Sequence, residues 1–283
     1  MATSWRTIGF EKNKKLFERA IEGGELGHAY LFSGPEMIGK RTLAVEVANK
    51  ITNISVPDIL MITSAGSESG QTIAIEDIRK IKNFVSIRPY GGAYKFIIID
   101  DAHLMPETSQ NSLLKILEEP NASSIIILVT ACPEALLPTI TSRCQEIQFF
   151  PHPRTIMESV LAEAKLSKAN KEFLADFADG RLGLVKRIIE EDSFGEIEGA
   201  VKKIMYLAKA DINERLDAAQ KLTDEKNKAG LPRLVLYWML YLRTRLSEPK
   251  AQKMLSGLLA LNEIVNKPQY NHRLALENFL ISL

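Results

Sequence analysis

The sequence predicts an α/β fold in which a five-stranded parallel sheet with interleaved helices occupies the first half and an all-helical second half follows. Three observations predict it. Short runs rich in Ile, Val and Phe recur at residues 29–33, 59–63, 95–100, 124–131 and 145–150. Stretches of helical period lie between them at 40–51, 75–87, 107–118 and 134–142. After Pro151-His152-Pro153 the strand signals stop. Strands that are nearly all apolar and are separated by helices belong to a parallel sheet covered on both faces.

Each element has its own justification. The run Phe96-Ile97-Ile98-Ile99 followed by Asp100-Asp101 is a central strand that delivers carboxylates to its C-terminal end, where open α/β sheets bind ligands. The helix over 107–118 starts beside Pro106 and stops before Pro120, with Leu113, Leu114 and Leu117 on one face. The 134–142 stretch contains Pro138, which weakens a helix there. In the second half, residues 155–164, 169–178 and 182–191 read as three short helices, with Gly180 stopping the second. From Ser193 onward all is helical. Over 231–246, Leu231, Leu234, Val235, Trp238, Met239 and Leu242 make one apolar stripe. Gly66–Gln71 and Asp224–Gly230 read as connections.

Composition narrows the function classes. The 283 residues carry 36 Lys and Arg against 35 Asp and Glu, a net charge of +1, so no chain-wide nucleic-acid footprint exists. With 46% hydrophobic residues the chain buries real cores. Two cysteines, Cys132 and Cys144, build neither a disulfide framework nor a four-thiolate zinc site. No apolar run approaches the ~20 residues that cross a bilayer. These features lead us to expect a cytoplasmic protein without membrane contact.

The strongest local motif is Gly34-Pro35-Glu36-Met37-Ile38-Gly39-Lys40, between a strand and a helix. A P-loop uses this spacing to wrap phosphates in backbone N–H groups at a helix N-terminus while the Lys reaches the β- and γ-phosphates. The next residue should carry the hydroxyl that holds Mg²⁺, but it is Arg41. Thr42 follows, turned ~100° further round the helix. Alternatively the loop is a glycine-rich turn that binds nothing. Asp100 stands where a P-loop NTPase helps hold Mg²⁺, and Asp101 stands where many such enzymes carry a water-orienting Glu. Two adjacent acids also serve to cap the next turn. Arg143, in Ser142-Arg143-Cys144 just before the last strand, suits an arginine finger; most such arginines form surface salt bridges. Thr130 closes the fourth strand, as a phosphate sensor or as a residue bonded to backbone. His28, His103, His152 and His272 show no metal spacing and read as structural.

These motifs resemble the delta-prime family of bacterial replicative clamp-loader subunits, within the AAA+ superfamily. The resemblance runs through Gly27-His28-Ala29-Tyr30-Leu31-Phe32 into the loop, then Ile97-Ile98-Ile99-Asp100-Asp101-Ala102. It continues through Asn111-Ser112-Leu113-Leu114-Lys115-Ile116-Leu117-Glu118-Glu119-Pro120, the run from Leu136 to Cys144, and Arg273-Leu274-Ala275-Leu276-Glu277-Asn278. It implies a AAA+ base domain over residues 1–151, a helical lid over 152–192, and a helical collar over 193–283 that joins five subunits in a ring. It further implies a bacterial, non-motor stator within the DNA polymerase III holoenzyme. Its partners would be the gamma/tau and delta subunits and, indirectly, the sliding clamp and primed DNA. In that scheme Arg143 reaches the ATP site of the adjacent motor subunit.

The chain departs from the motor pattern in several places. The segment from Ala48 to Asp58 lacks the four-cysteine zinc module that motors and many relatives insert there, so no zinc is expected. Arg41 replaces the Mg²⁺ hydroxyl, and Asp101 is one methylene shorter than Glu. Gly183 stands where the lid of a motor places a sensing Arg, with Arg181 two residues earlier. Gly34, Gly39, Lys40, Arg41, Thr42, Asp100, Asp101 and Thr130 thus form a degenerate nucleotide site that requires no cofactor and allows weak ATP or ADP binding. The alternative is an active gamma/tau-like ATPase. A DNA-binding regulator is disfavoured by the balanced charge.

Overall fold

The computed structural model describes residues 5–52, 58–64, 72–224, 230–267 and 270–283. The expected connection Gly66–Gln71, and residues 225–229 of the second, lie outside the described residues. Two compact units divide between His152 and Pro153.

In the first unit, strands β1 (Ala29–Ser33), β2 (Ile59–Ile62), β3 (Lys95–Ile99), β4 (Ser124–Thr130) and β5 (Gln145–Gln148) form one parallel sheet in the order β2-β3-β4-β1-β5. Helices α1 (Glu11–Gly23), α2 (Lys40–Ile51), α3 (Ile75–Ser86), α4 (Glu107–Glu118) and α5 (Pro138–Thr141) accompany it. The period-2 alternation of side chains sorts the sheet onto two cores. Leu31, Ile97, Ile99, Ile126 and Leu128 pack with Ile78, Ile81, Leu113 and Leu117 of α3 and α4. Phe32, Phe96, Ile98, Ile127 and Val129 pack on the other face with Phe17 of α1 and Leu43 and Val47 of α2. Burying each Ile, Leu or Phe completely contributes about 1.5–3 kcal/mol. Both faces of β1, β3 and β4 are therefore dry, and every residue of these strands is buried.

Three expectations need correction. The last strand is an exposed edge, with Ile147 its one buried residue, because among the described residues nothing pairs with its outer side. The 134–142 stretch breaks into a 3-10 turn at Pro133–Ala135 and the four-residue α5, since Pro138 has no N–H to continue a helix and sits instead in the first turn. Helix α1 was not anticipated: it is strongly polar and buries only the stem of Lys14 and Phe17, a signal too thin to read as a stripe.

The second unit contains α6 (Arg154–Ala162), α7 (Lys168–Phe177), α8 (Leu182–Glu190), α9 (Phe194–Leu207), α10 (Ile212–Thr223), α11 (Leu231–Arg243), α12 (Pro249–Val265) and α13 (His272–Ile281). The helices expected to separate at residue 193 fall within this one unit. Their N-termini are capped where the chemistry allows. Ser167, Asp211 and Asn271 accept from the backbone N–H groups of Asn170, of Asn213 and Glu214, and of Leu274. Asp179 and Gly180 follow α7 with left-handed backbone, so Gly180 stops that helix as expected. Helix α11 packs on α9 and α12, and its buried surface is shifted from the expected stripe: Leu236, Tyr237 and Leu240 are buried, whereas Leu234 and Met239 are half-buried. Trp238 is fully buried and donates to the Ala200 carbonyl at 2.9 Å. Among the described residues no helix is long and apolar enough to cross a membrane.

Candidate functional site

The strand order decides what meets at the C-terminal end of the sheet. Strand β4 lies between β1 and β3, with Ser33 level with Thr130 and Ile99 level with Leu128. The loop after β1, the acids after β3 and Thr130 therefore come together, although nearly 100 residues separate Gly34 from Thr130.

Backbone sterics fix the loop. Gly34 has φ 141° and Gly39 φ 112°, and a Cβ on Gly34 would lie 2.3 Å from the Phe149 carbonyl oxygen, so only glycine fits that position. Met37 takes the left-handed region without being glycine, at φ 58°. The loop is also held from outside. His152 Nε2 donates to the Ile38 carbonyl at 2.9 Å, and Phe10 packs on His152 and Phe149 with ring centres 4.5 and 4.9 Å away. His152 is thus structural, and what it supports is the Gly34–Lys40 loop.

The charged groups of the site are joined to one another. Lys40, 6% exposed, donates from Nζ to the Gly34 and Pro35 carbonyls at 2.5 and 2.6 Å. Burial pushes its ammonium down to about 8, against the opposing pull of Glu36, Asp101 and Asp100. Arg41 Nη1 donates to Asp100 Oδ2 at 3.3 Å. Burial raises both Asp100 and Asp101 above the usual carboxylate range; mutual repulsion adds to this at Asp100, and Arg41 opposes it at both. The side chain of Thr42 is exposed. Two cations, Lys40 and Arg41, thus face three carboxylates, Glu36, Asp100 and Asp101.

Thr130 is bonded to backbone. Its Oγ1 accepts from the Cys132 N–H at 3.0 Å and lies 3.3 Å from His103 Nδ1. His103 is the residue that the sequence reading missed. Burial and the nearby Lys40 push its imidazole down to about 4, despite Asp100 and Glu134, so it is neutral at pH 7. Its place in the site depends on β3 lying beside β4, which no local pattern reveals.

Arg143 is elsewhere. It precedes Gln145, the partner of Tyr30, by two residues, whereas Gly34 follows Tyr30 by four. Arg143 thus precedes the start of β5 while Gly34 follows the end of β1, at opposite ends of paired strands that alone span roughly 10 Å at about 3.3 Å per residue. Its side chain is 36% exposed and bonded within its own domain: Nη2 lies 2.9 Å from Glu118 Oε1, and Nη1 donates to the Thr139 carbonyl at 2.9 Å. Arg181 likewise pairs with Asp179 at 3.1 Å, and Arg243 pairs with that same carboxylate; Gly183 lies inside α8. Cys144 packs against the core, and burial pushes its thiol up to about 12, which makes it a small hydrophobe. No group of three or more His, Cys, Asp or Glu residues gathers as a metal-ligand set among the described residues.

Residues 46–153 match the family described as DNA polymerase III, delta subunit. The delta' subunit of DNA polymerase III from Bacillus subtilis is 29% identical over 225 residues, covering 72% of this chain and 67% of that one. The tau subunit from the same organism is 30% identical over 202 residues, covering 61% of this chain. The match spans only 34% of that longer protein. A DNA polymerase III gamma subunit-related protein from Thermotoga maritima shares the fold, with a TM-score of 0.55 at 22% identity over 96% of this chain and 97% of that one. In sequence the chain is thus similar to the delta' and tau subunits of DNA polymerase III, and in fold to a gamma subunit-related protein.

Proposed function

We propose that the chain is a non-motor, delta-prime-type subunit of the bacterial replicative clamp loader. One observation carries this reading: the position that should hold the Mg²⁺ hydroxyl is Arg41, and its guanidinium closes on Asp100. A P-loop site places its metal between that hydroxyl and that carboxylate. The residues present here do not fit a bound Mg²⁺, while the two glycines and Lys40 still suit weak, metal-free contact with the phosphates of ATP or ADP. The role then lies in what the subunit gives to others. Arg143 is too far from its own loop to serve it, and a neighbour in a ring is the site it suits. There a planar guanidinium stabilises charge on a transferring phosphoryl group. Assembly would exchange the Glu118 pair for that contact. The partners are the gamma/tau and delta subunits, with the sliding clamp and primed DNA reached through them, in the bacterial cytoplasm. No zinc module is needed.

A gamma/tau-like ATPase is the competing reading, and the similarity to the tau subunit of Bacillus subtilis favours it. Steady-state ATPase of the purified chain, with and without primed DNA, separates the two. The non-motor reading expects negligible turnover. Turnover matching a gamma-type subunit and abolished by Lys40→Ala would overturn it.

A further inference from the structure

The misfit between this site and a metal extends to both of its cations. In a working P-loop the lysine reaches phosphate and the metal sits beside the strand-end aspartate. Here Lys40 Nζ is turned onto two carbonyls of its own loop, Gly34 and Pro35, and Arg41 Nη1 lies 3.3 Å from Asp100 Oδ2. We propose that Arg41 is a tethered substitute for the divalent cation: it neutralises Asp100 permanently and keeps a metal–nucleotide complex out of the loop. The inference deepens the non-motor reading and rests on it by naming the group that shuts the site.

Charge, geometry and exposure support the assignment. Asp100 is 14% exposed and stands next to Asp101, so two adjacent, largely buried carboxylates need positive charge nearby. A metal provides it in a motor; Lys40 and Arg41 provide it here, and both carboxylates feel Arg41. A divalent ion bound to Asp100 would meet a guanidinium already hydrogen-bonded to the same oxygen. Mg²⁺ also demands near-octahedral oxygen ligands, and a guanidinium has only donors to offer. Thr42 does not restore the hydroxyl, because its side chain is exposed one step further round the helix. The Arg41 side chain is 60% exposed, so its pair contributes little to folding; its effect is on what the site admits.

The test uses Mn²⁺ as a spin probe for the metal, with ATP, on the full chain. Electron paramagnetic resonance reads the fraction of Mn²⁺ bound for the wild-type, Arg41→Lys, Arg41→Thr and Arg41→Thr/Asp100→Asn proteins, with circular dichroism confirming that each is folded. Arg41→Thr should bind Mn²⁺·ATP at least about 10-fold more tightly than wild type. Arg41→Lys, which keeps a cation beside Asp100, should stay closed, and Asp100→Asn should cancel the gain. Wild-type binding equal to that of Arg41→Thr would overturn the inference, as would a folded Arg41→Thr protein that gains nothing. Either failure is read as metal–nucleotide binding, whereas failure of the non-motor reading is read as turnover.

Discussion

His103 shows how much one residue of the site contributes and how it can be read out. Its imidazole is held down near 4 by burial and by the Lys40 charge, while an unfolded histidine titrates near 6.5. Between those values the unfolded chain takes up a proton that the folded chain refuses. The stability linked to His103 is thus complete above pH 6.5, falls as the pH drops toward 4 and levels off below it. Urea unfolding of wild type and His103→Gln at pH 7 and pH 4.5 checks this. The variant should lose less stability between the two pH values, by about 1–3 kcal/mol. Equal losses would mean that His103 is hydrated and free to charge. Asp100 and Asp101, both raised, oppose this trend, and comparing the two proteins cancels their contribution.

At the scale of elements, the loop between α3 and β3 depends on a single buried carboxylate. Asp58 is fully buried and accepts from the Tyr90 N–H at 2.8 and 3.0 Å and from the Gly91 N–H at 2.8 Å. Asp58→Ala strands two backbone donors and should cost about 2–3 kcal/mol in chemical denaturation. Amide exchange at Tyr90 and Gly91 should accelerate more than exchange in β1; uniform acceleration would contradict a local clamp. The central strands were legible because burial on both faces leaves β3 almost wholly apolar. Helices α2 and α4 were legible through the glycine and proline that precede them. Helix α1, the exposure of β5 and the Asp58 clamp were not, since each depends on a partner distant in sequence: Asp58 meets backbone 32 and 33 residues away. The glycine-bounded turn over Gly34–Lys40, between β1 and α2, was legible from spacing alone. The coupling of Arg41 to Asp100 and of His103 to Thr130 required the strand order.

For the whole molecule, Arg143 lies at the end of the sheet opposite the Gly34–Lys40 loop, in a chain similar to the delta' and tau subunits of DNA polymerase III. In this account Arg143 works only once a neighbour is present. Its pair with Glu118 is 36% and 50% exposed on the two sides, so losing it should change stability by no more than about 1 kcal/mol. Arg143→Ala therefore separates function from folding. The most direct measurement is the DNA- and clamp-stimulated ATPase of a clamp loader reconstituted from wild-type gamma/tau and delta subunits with either the wild-type or the Arg143→Ala chain. Fingers of this kind are worth about 10³–10⁵ in rate at their own site, but several motor sites share the work, so the whole-complex fall should be several-fold. Arg143→Lys should rescue it poorly, because an ammonium lacks the planar fork. The account predicts that fall with ring assembly and thermal stability preserved. Undiminished ATPase in an intact Arg143→Ala complex would contradict it.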